Sequence, residues 1–243
     1  MSDVPSELTT AATDAAIALL CAVALQRLLV LPVNQRWKRS IWAWVLACLG
    51  MASLVGAAVH AIVSPPLLRT ALWAMLYASL GLTLAAFLVG VLFDARGESL
   101  ARSAAPWVAA GGTGFGVLTI VSGGSFAVFV AIESVVMIAG LVVYGALALT
   151  RRLPGAGLVA VGIVVTVLAG VVQTSRFSLV LFVPFDHNGL FHLVQLVGTI
   201  LLVMGIRRGL SSTRGRPTTE ATLLRIPPPR RHSQSTRARR WRR

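Results

Sequence analysis

The sequence predicts an all-α integral membrane protein that folds as a seven-helix transmembrane bundle. Its residues are 56% hydrophobic and only 12% charged, whereas soluble domains carry roughly 25% charged residues. The mean hydropathy is +0.80. Seven apolar stretches each approach the length of about 20 residues that a helix needs to cross a bilayer. These observations exclude a water-soluble globular protein.

The seven predicted helices are separated by charged breaks or by breaks rich in proline and glycine. They cover approximately 14–31, 41–63, 70–93, 104–121, 125–149, 155–173 and 188–206. We therefore expect a short outer segment over 1–13, a transmembrane domain over 14–208 and a cytoplasmic tail over 209–243. Asp3 and Glu7 stand where a signal peptide carries basic residues, so we expect the first helix to be retained.

The distribution of basic residues among the short loops predicts the orientation, because cytoplasmic loops are enriched in Lys and Arg. Only Arg69 and Arg176 fall in the loops on the side of the N-terminus. Seven basic residues fall on the other side: Arg36, Lys38, Arg39, Arg96, Arg102, Arg151 and Arg152. The N-terminus is therefore expected outside and the C-terminus in the cytoplasm.

Most of the net charge of +14 lies in the tail, which holds 12 Arg and the single acid Glu220 between Arg207 and Arg243. The tail is also rich in Ser, Thr and Pro, so we expect it to be disordered. It either binds anionic lipid of the inner leaflet or only fixes the topology. No nucleic-acid partner is expected. Scarce lysine beside abundant Ala, Gly, Val and Arg is typical of a GC-rich prokaryote, which predicts a plasma-membrane location.

Several function classes are excluded by the motifs that the chain lacks. The single lysine, Lys38, is predicted in a loop, whereas a retinal protein needs a lysine inside a late helix. The sequence also contains no P-loop, GxSxG or HExxH motif. The common nucleotide-binding and hydrolase signatures are therefore absent.

Four polar residues at membrane depth are the candidate functional residues, because ionisable groups in the bilayer are costly and usually face a cavity or each other. They are His60, Glu133, His187 and His192. At 1.5 Å per residue, His60 and His192 lie about 5 to 6 Å below the outer boundary and Glu133 about 12 Å below it. All four could therefore face one cavity in the outer half of the bundle.

The segment before the seventh helix contains a helix-start signal. Asp186 directly precedes an apolar run, so its simplest role is to cap that helix, and a general base is its functional alternative. His187 and His192 are five residues apart, about 140° around a helix, so they do not form a two-histidine clamp on one helix. Any metal site must therefore be assembled between helices.

The string Asn188-Gly189-Leu190-Phe191-His192 resembles the seventh-helix HxxFH motif of the CREST superfamily, which includes the alkaline ceramidases and the progestin and adipoQ receptors. His60 would match that family's second-helix histidine. The resemblance implies a seven-helix scaffold and a zinc ion held by one histidine of the second helix and two of the seventh. It also implies activity on a lipid amide such as a ceramide.

The chain departs from the motif at three places. Asn188 stands where the first seventh-helix histidine is expected, and Gly56 stands where the family has a serine one turn before His60. No aspartate begins the third helix. Because Asn188 is a poor zinc ligand, His187 or Glu133 replaces it, or the site is degenerate.

Three functions remain open at this stage. The first is a zinc-dependent hydrolase that acts on a lipid amide or ester at the outer face, with metal ligands His60, His187 and His192 and with Glu133 or Asp186 as general base. The second is a non-enzymatic binding or scaffold protein whose histidines and carboxylates form a structural hydrogen-bond network. The third is an ion or proton carrier that uses Glu133 and the histidines as a relay, which is disfavoured because the inner half of the bundle offers only Arg27.

Overall fold

The computed structural model describes residues 4–121, 126–175, 177–180 and 182–212. Within them the chain forms seven helices and one two-stranded hairpin. The helices are α1 (Pro5–Leu29), α2 (Arg36–Ala61), α3 (Pro66–Arg96), α4 (Glu98–Val121), α5 (Phe126–Leu149), α6 (Ala156–Thr174) and α7 (His187–Ser212). All seven are long and apolar enough to cross a membrane, which confirms the all-α class and the number of helices.

The helices extend beyond the apolar stretches because polar first and last turns are also helical. The start of α1 at Pro5 rather than at Asp14 is the largest such difference. Proline suits the first helical position, and Glu7 lies in the first turn, where a negative charge is favourable. The segment expected as a short outer extension is therefore mostly helix. At the other end of the chain, α7 continues to Ser212, and the rest of the predicted tail, 213–243, lies outside the described residues.

Neighbouring helices in the sequence pack against one another, and α1 closes the bundle by packing against both α2 and α7. α4 lies at the periphery on α3 and makes little contact with α5. The contact between α3 and α4 is close because it is made by glycines: a Cβ on Gly112 would lie 2.6 Å from the carbonyl oxygen of Gly81. Small residues allow such close backbone approach between membrane helices.

The two ends of the bundle differ. At the end where α1, α3, α5 and α7 begin, here called the cavity end, an antiparallel pair of two-residue strands joins α6 to α7: β1 (Leu179–Val180) and β2 (Pro184–Phe185). The other end, here called the basic end, carries the α1–α2, α3–α4 and α5–α6 connections. The main hydrophobic core runs between these ends and includes Trp42, Phe87 and Tyr144.

Candidate functional site

A cavity of about 1130 Å³ lies at the cavity end of the bundle. Its walls come from α1, α2, α3, α5 and α7, with smaller contributions from α4 and α6. Pro66, Arg69 and Thr70, from the exposed first turns of α3, lie along it, so the cavity is open beside the start of that helix. Four of the five predicted site residues line it: His60, Glu133, His187 and His192.

His192 is buried and is held by two neighbouring residues of α1. Its Nδ1 lies 3.2 Å from Thr13 Oγ1, and its Nε2 lies 3.4 Å from Asp14 Oδ1. The Thr13 hydroxyl donates to the backbone carbonyls of Thr9 and Thr10, so its oxygen accepts a hydrogen bond from the N–H at His192 Nδ1. Both ring nitrogens of His192 therefore have a partner on α1.

Asp14 reaches His192 because α2 presents a glycine at the facing position. A Cβ on Gly56 would lie only 2.5 Å from Asp14 Oδ2, so any larger side chain there would displace the carboxylate. Gly56 is the position where the motif of the resembled family has a serine. In this chain the missing side chain makes room for a carboxylate from α1.

A second histidine and carboxylate pair joins α1 to α2. His60 Nδ1 lies 2.6 Å from Glu7 Oε2, and the side chains are 15% and 39% exposed. The His60 ring also contacts Trp73 edge-on, with ring centroids 6.3 Å apart. Glu7 is more exposed than Asp14, so solvent screens the pair of His60 and Glu7 more than the pair of His192 and Asp14. We therefore expect it to be the weaker of these two contacts between α1 and a histidine.

Glu133 differs from the other acids of the cavity because no described residue pairs with its carboxylate. It lies on α5, which packs mainly against α6 and α3. His187 is the first residue of α7 and lies at the rim. Its neighbour Asn188 accepts a hydrogen bond from the Gln173 side chain at 3.3 Å, which joins α6 to α7.

Asp186 caps α7, which confirms its simplest predicted role. Its Oδ1 accepts a hydrogen bond from the Gly189 amide at 2.9 Å and from the Thr10 hydroxyl at 3.1 Å. Asp186 is not among the residues that line the cavity. Together with the hydrogen bond from Thr9 to the Pro184 carbonyl, at 2.8 Å, this contact fixes the start of α7 on α1.

The side chains around the cavity do not fit a zinc ion in this arrangement. Among the described residues, no three His, Cys, Asp or Glu side chains converge as a metal-binding group. The nitrogens of His192 are taken by Thr13 and Asp14, and Nδ1 of His60 is taken by Glu7. A catalytic zinc site needs three protein ligands around one point, and these described pairs do not form such a group.

A buried ionic cluster at the basic end corrects two sequence predictions. Lys38 lies in the first turn of α2 rather than in a loop, and it pairs with Asp94 of α3 while only 3% exposed. Tyr144 of α5 donates a hydrogen bond to the same carboxylate at 2.9 Å. The sequence suggests a loop at Lys38 because the apolar run starts only at Ile41. The half of the bundle at the basic end, where Arg27 is the only predicted relay group, therefore also holds Lys38, Asp94 and Tyr144.

Sequence reasoning misses Asp14 and Glu7, the two α1 carboxylates that hold the histidines. In the hydropathy pattern Asp14 only marks the start of an apolar stretch, and Glu7 falls before the first predicted helix. A signal is nevertheless present: Thr10, Thr13 and Asp14 recur at helical spacing along one face of an otherwise apolar helix. A polar face on a membrane helix indicates that it packs against polar partners.

Comparison of the sequence with models of protein families assigns the chain to one family. A family model matches residues 9–211, which span parts of all seven helices. The chain belongs to this family of unknown function, DUF6962. The description of DUF6962 assigns no activity to its members. No curated protein and no solved structure matches this DUF6962 chain.

Proposed function

We propose that this chain is a non-catalytic membrane protein that binds an amphipathic molecule in the cavity. The observation that carries the proposal is the cavity of about 1130 Å³, which is large enough for a lipid-sized ligand. Apolar side chains of α2 and α3 form much of its wall, while Glu133, His192 and Gln195 provide polar groups. This combination suits a ligand with an apolar body and one polar end.

The histidine contacts support a structural role for the polar residues on α1. Asp14 and Thr13 hold His192, Glu7 holds His60, and Thr10 holds Asp186. Each contact joins α1 to another helix or to a helix cap. Such a network fixes the register of α2 and α7 against α1 and so gives the cavity a defined shape.

The proposal is tested by measuring what stays bound to the purified chain. Ala74 lines the cavity on α3, so Ala74→Trp should fill part of it and displace the ligand. Ala71 is exposed on the same helix and is not a lining residue, so Ala71→Trp is the matched control. In native mass spectrometry we expect a bound small molecule on the wild type and on Ala71→Trp, and its loss from Ala74→Trp.

Two results would count against the binding proposal. One is a wild-type chain that carries no bound molecule and takes up none from a lipid extract. The other is equal retention by Ala74→Trp and the wild type, which would place the bound molecule outside the cavity.

A zinc-dependent hydrolase of a lipid amide or ester is the second candidate. The observation in its favour is that His60, Glu133, His187 and His192 line one cavity. This role needs the histidines to leave their carboxylate partners on α1, so no zinc-dependent step follows from the present geometry. It predicts hydrolysis of a short-chain ceramide or ester that is lost in His60→Ala and His192→Ala. If the chain is a hydrolase, the CREST-like motif indicates an activity that it shares with the CREST superfamily. If the chain only binds a ligand, the motif indicates at most a scaffold that the two share.

The orientation and location of the bundle are also proposals. The predicted topology puts the cavity end outside and the basic end in the cytoplasm of a prokaryotic plasma membrane. Arg36, Arg39, Arg96, Arg102 and Arg151 support it, since they lie at the basic end, whereas Arg69 lies at the cavity end. Lys38 contributes less than expected because it is paired with Asp94. In this orientation the basic tail would meet anionic lipid of the inner leaflet.

A further inference from the structure

We propose, resting on the binding function above, that the ligand of the cavity is an amphiphile whose polar end is a protonated amine. Two of the side chains that line the cavity carry acceptor oxygens without a partner among the described residues: Glu133 and Gln195. A ligand that satisfies them must donate hydrogen bonds, and a positive charge would also balance the carboxylate of Glu133.

Glu133 supplies the first argument for a positive charge. Its carboxylate lines an apolar cavity, and no described residue forms an ion pair or hydrogen bond with it. A carboxylate in such surroundings is costly unless a cation or donor accompanies it. Among the basic residues of the cavity wall, Arg69 is exposed near the start of α3 and His187 is the first residue of α7. His60 and His192 are already held by α1.

Gln195 supplies a second and independent argument. It is only 8% exposed, it lines the cavity on α7, and its Oε1 has no hydrogen-bond partner among the described residues. A buried amide oxygen without a donor is destabilising, so a ligand N–H that reached it would recover a hydrogen bond.

The two unpaired acceptors lie at a similar level in the bundle. Counted from the start of each helix at 1.5 Å per residue, Glu133 and Gln195 lie about 10 to 12 Å from the cavity end. Arg69 lies only about 4 to 5 Å from the start of α3. The acceptors therefore lie deeper in the cavity than Arg69. A cationic group of the ligand at the level of the acceptors would be separated from the positive charge of Arg69.

The wall above these acceptors also suits an amine. Trp73 lines the cavity and stacks on Tyr77, with ring centroids 5.7 Å apart and an interplanar angle of 28°. Aromatic faces attract ammonium groups that lie within about 6 Å. The amine would lie near Glu133 and Gln195, and its apolar chain would extend along α3 towards the mouth of the cavity.

Three amphiphiles with the same chain and different polar ends test this inference. Radiolabelled dodecylamine, dodecanol and dodecanoate are titrated onto the full chain in phosphatidylcholine nanodiscs, and binding to empty nanodiscs is subtracted. We expect saturable binding of dodecylamine at least about tenfold tighter than that of dodecanol or dodecanoate. Glu133→Gln should remove this preference, and Glu98→Gln, which alters an exposed carboxylate at the basic end, should leave it unchanged.

The comparison among head groups uses the wild type, so it stands even if Glu133→Gln fails to fold. Equal affinity for the three probes, or a preference for dodecanoate, overturns the amine inference while leaving the binding function intact. A preference for dodecylamine that persists in folded Glu133→Gln overturns it as well. If none of the probes binds saturably, the binding function itself fails.

Discussion

Asp14 is the residue on which the arrangement of the cavity depends most. It reaches from α1 to His192 on the neighbouring helix α7, and it occupies the space that Gly56 leaves open on α2. A single carboxylate thus contacts both helices that carry the motif histidines. Because Asp14 and His192 are both largely buried, the loss of one leaves the other buried without its partner.

Replacement of Asp14 should destabilise the fold. Asp14→Ala removes the acceptor next to His192 Nε2, so we expect the free energy of unfolding to fall by about 1–3 kcal/mol. Gly56→Val should act in the same direction, because its side chain would clash with the Asp14 carboxylate. Both are measured as a fall in the melting temperature in detergent. Glu98→Ala at the exposed Arg102 pair is the control and should change it little. A melting temperature unchanged in Asp14→Ala would contradict the structural role of this pair.

At the scale of the helices, the sequence predicts the membrane-length helices, which depend on local hydrophobicity. It does not predict the contacts between side chains on different helices. The seven apolar stretches are all helices, because a chain in a bilayer must satisfy its backbone hydrogen bonds within each span. His60, Glu133, His187 and His192 also line one cavity, as the sequence suggests. The partners Asp14 and Glu7, and the burial of Lys38, depend on contacts between helices that are distant in the sequence.

Close packing of α4 on α3 gives a prediction at this scale. Gly112→Val should push the two helices apart, because a Cβ at that position already meets the Gly81 backbone and the Ala85 side chain. Gly114 is on the same helix, and a Cβ there would have nothing within 4 Å, so Gly114→Val is the matched control. We expect a lower melting temperature for Gly112→Val alone. Equal effects of the two substitutions would show that helix propensity, and not packing, is responsible.

The ionic cluster at the basic end gives a second prediction for the helices. Lys38→Met leaves Asp94 buried with Tyr144 as its remaining partner, so we expect a loss of about 3–5 kcal/mol of stability. Lys38→Met combined with Asp94→Leu removes both charges and should recover most of that loss. Thermal unfolding of the three chains measures the difference. A double variant as unstable as Lys38→Met would contradict the account of this cluster.

For the whole molecule, the two ends of the bundle have different chemistry. The cavity end carries the open cavity and the two contacts between a histidine and a carboxylate of α1. The basic end carries the buried cluster of Lys38, Asp94 and Tyr144. The proposed topology exposes the cavity to the outside. Leu67→Cys at the start of α3 should then react with a membrane-impermeant maleimide in intact cells, and Leu149→Cys at the end of α5 should not. The reverse pattern would invert the proposed topology.

The binding proposal and the hydrolase proposal differ most directly in whether the histidines hold a metal ion. The measurement is the metal content of the purified wild type and of His192→Ala by elemental mass spectrometry, with melting temperatures recorded with and without a chelator. The account predicts no stoichiometric zinc, no effect of the chelator and a lower melting temperature for His192→Ala. About one zinc per chain, lost in His192→Ala, would contradict it and would favour the hydrolase.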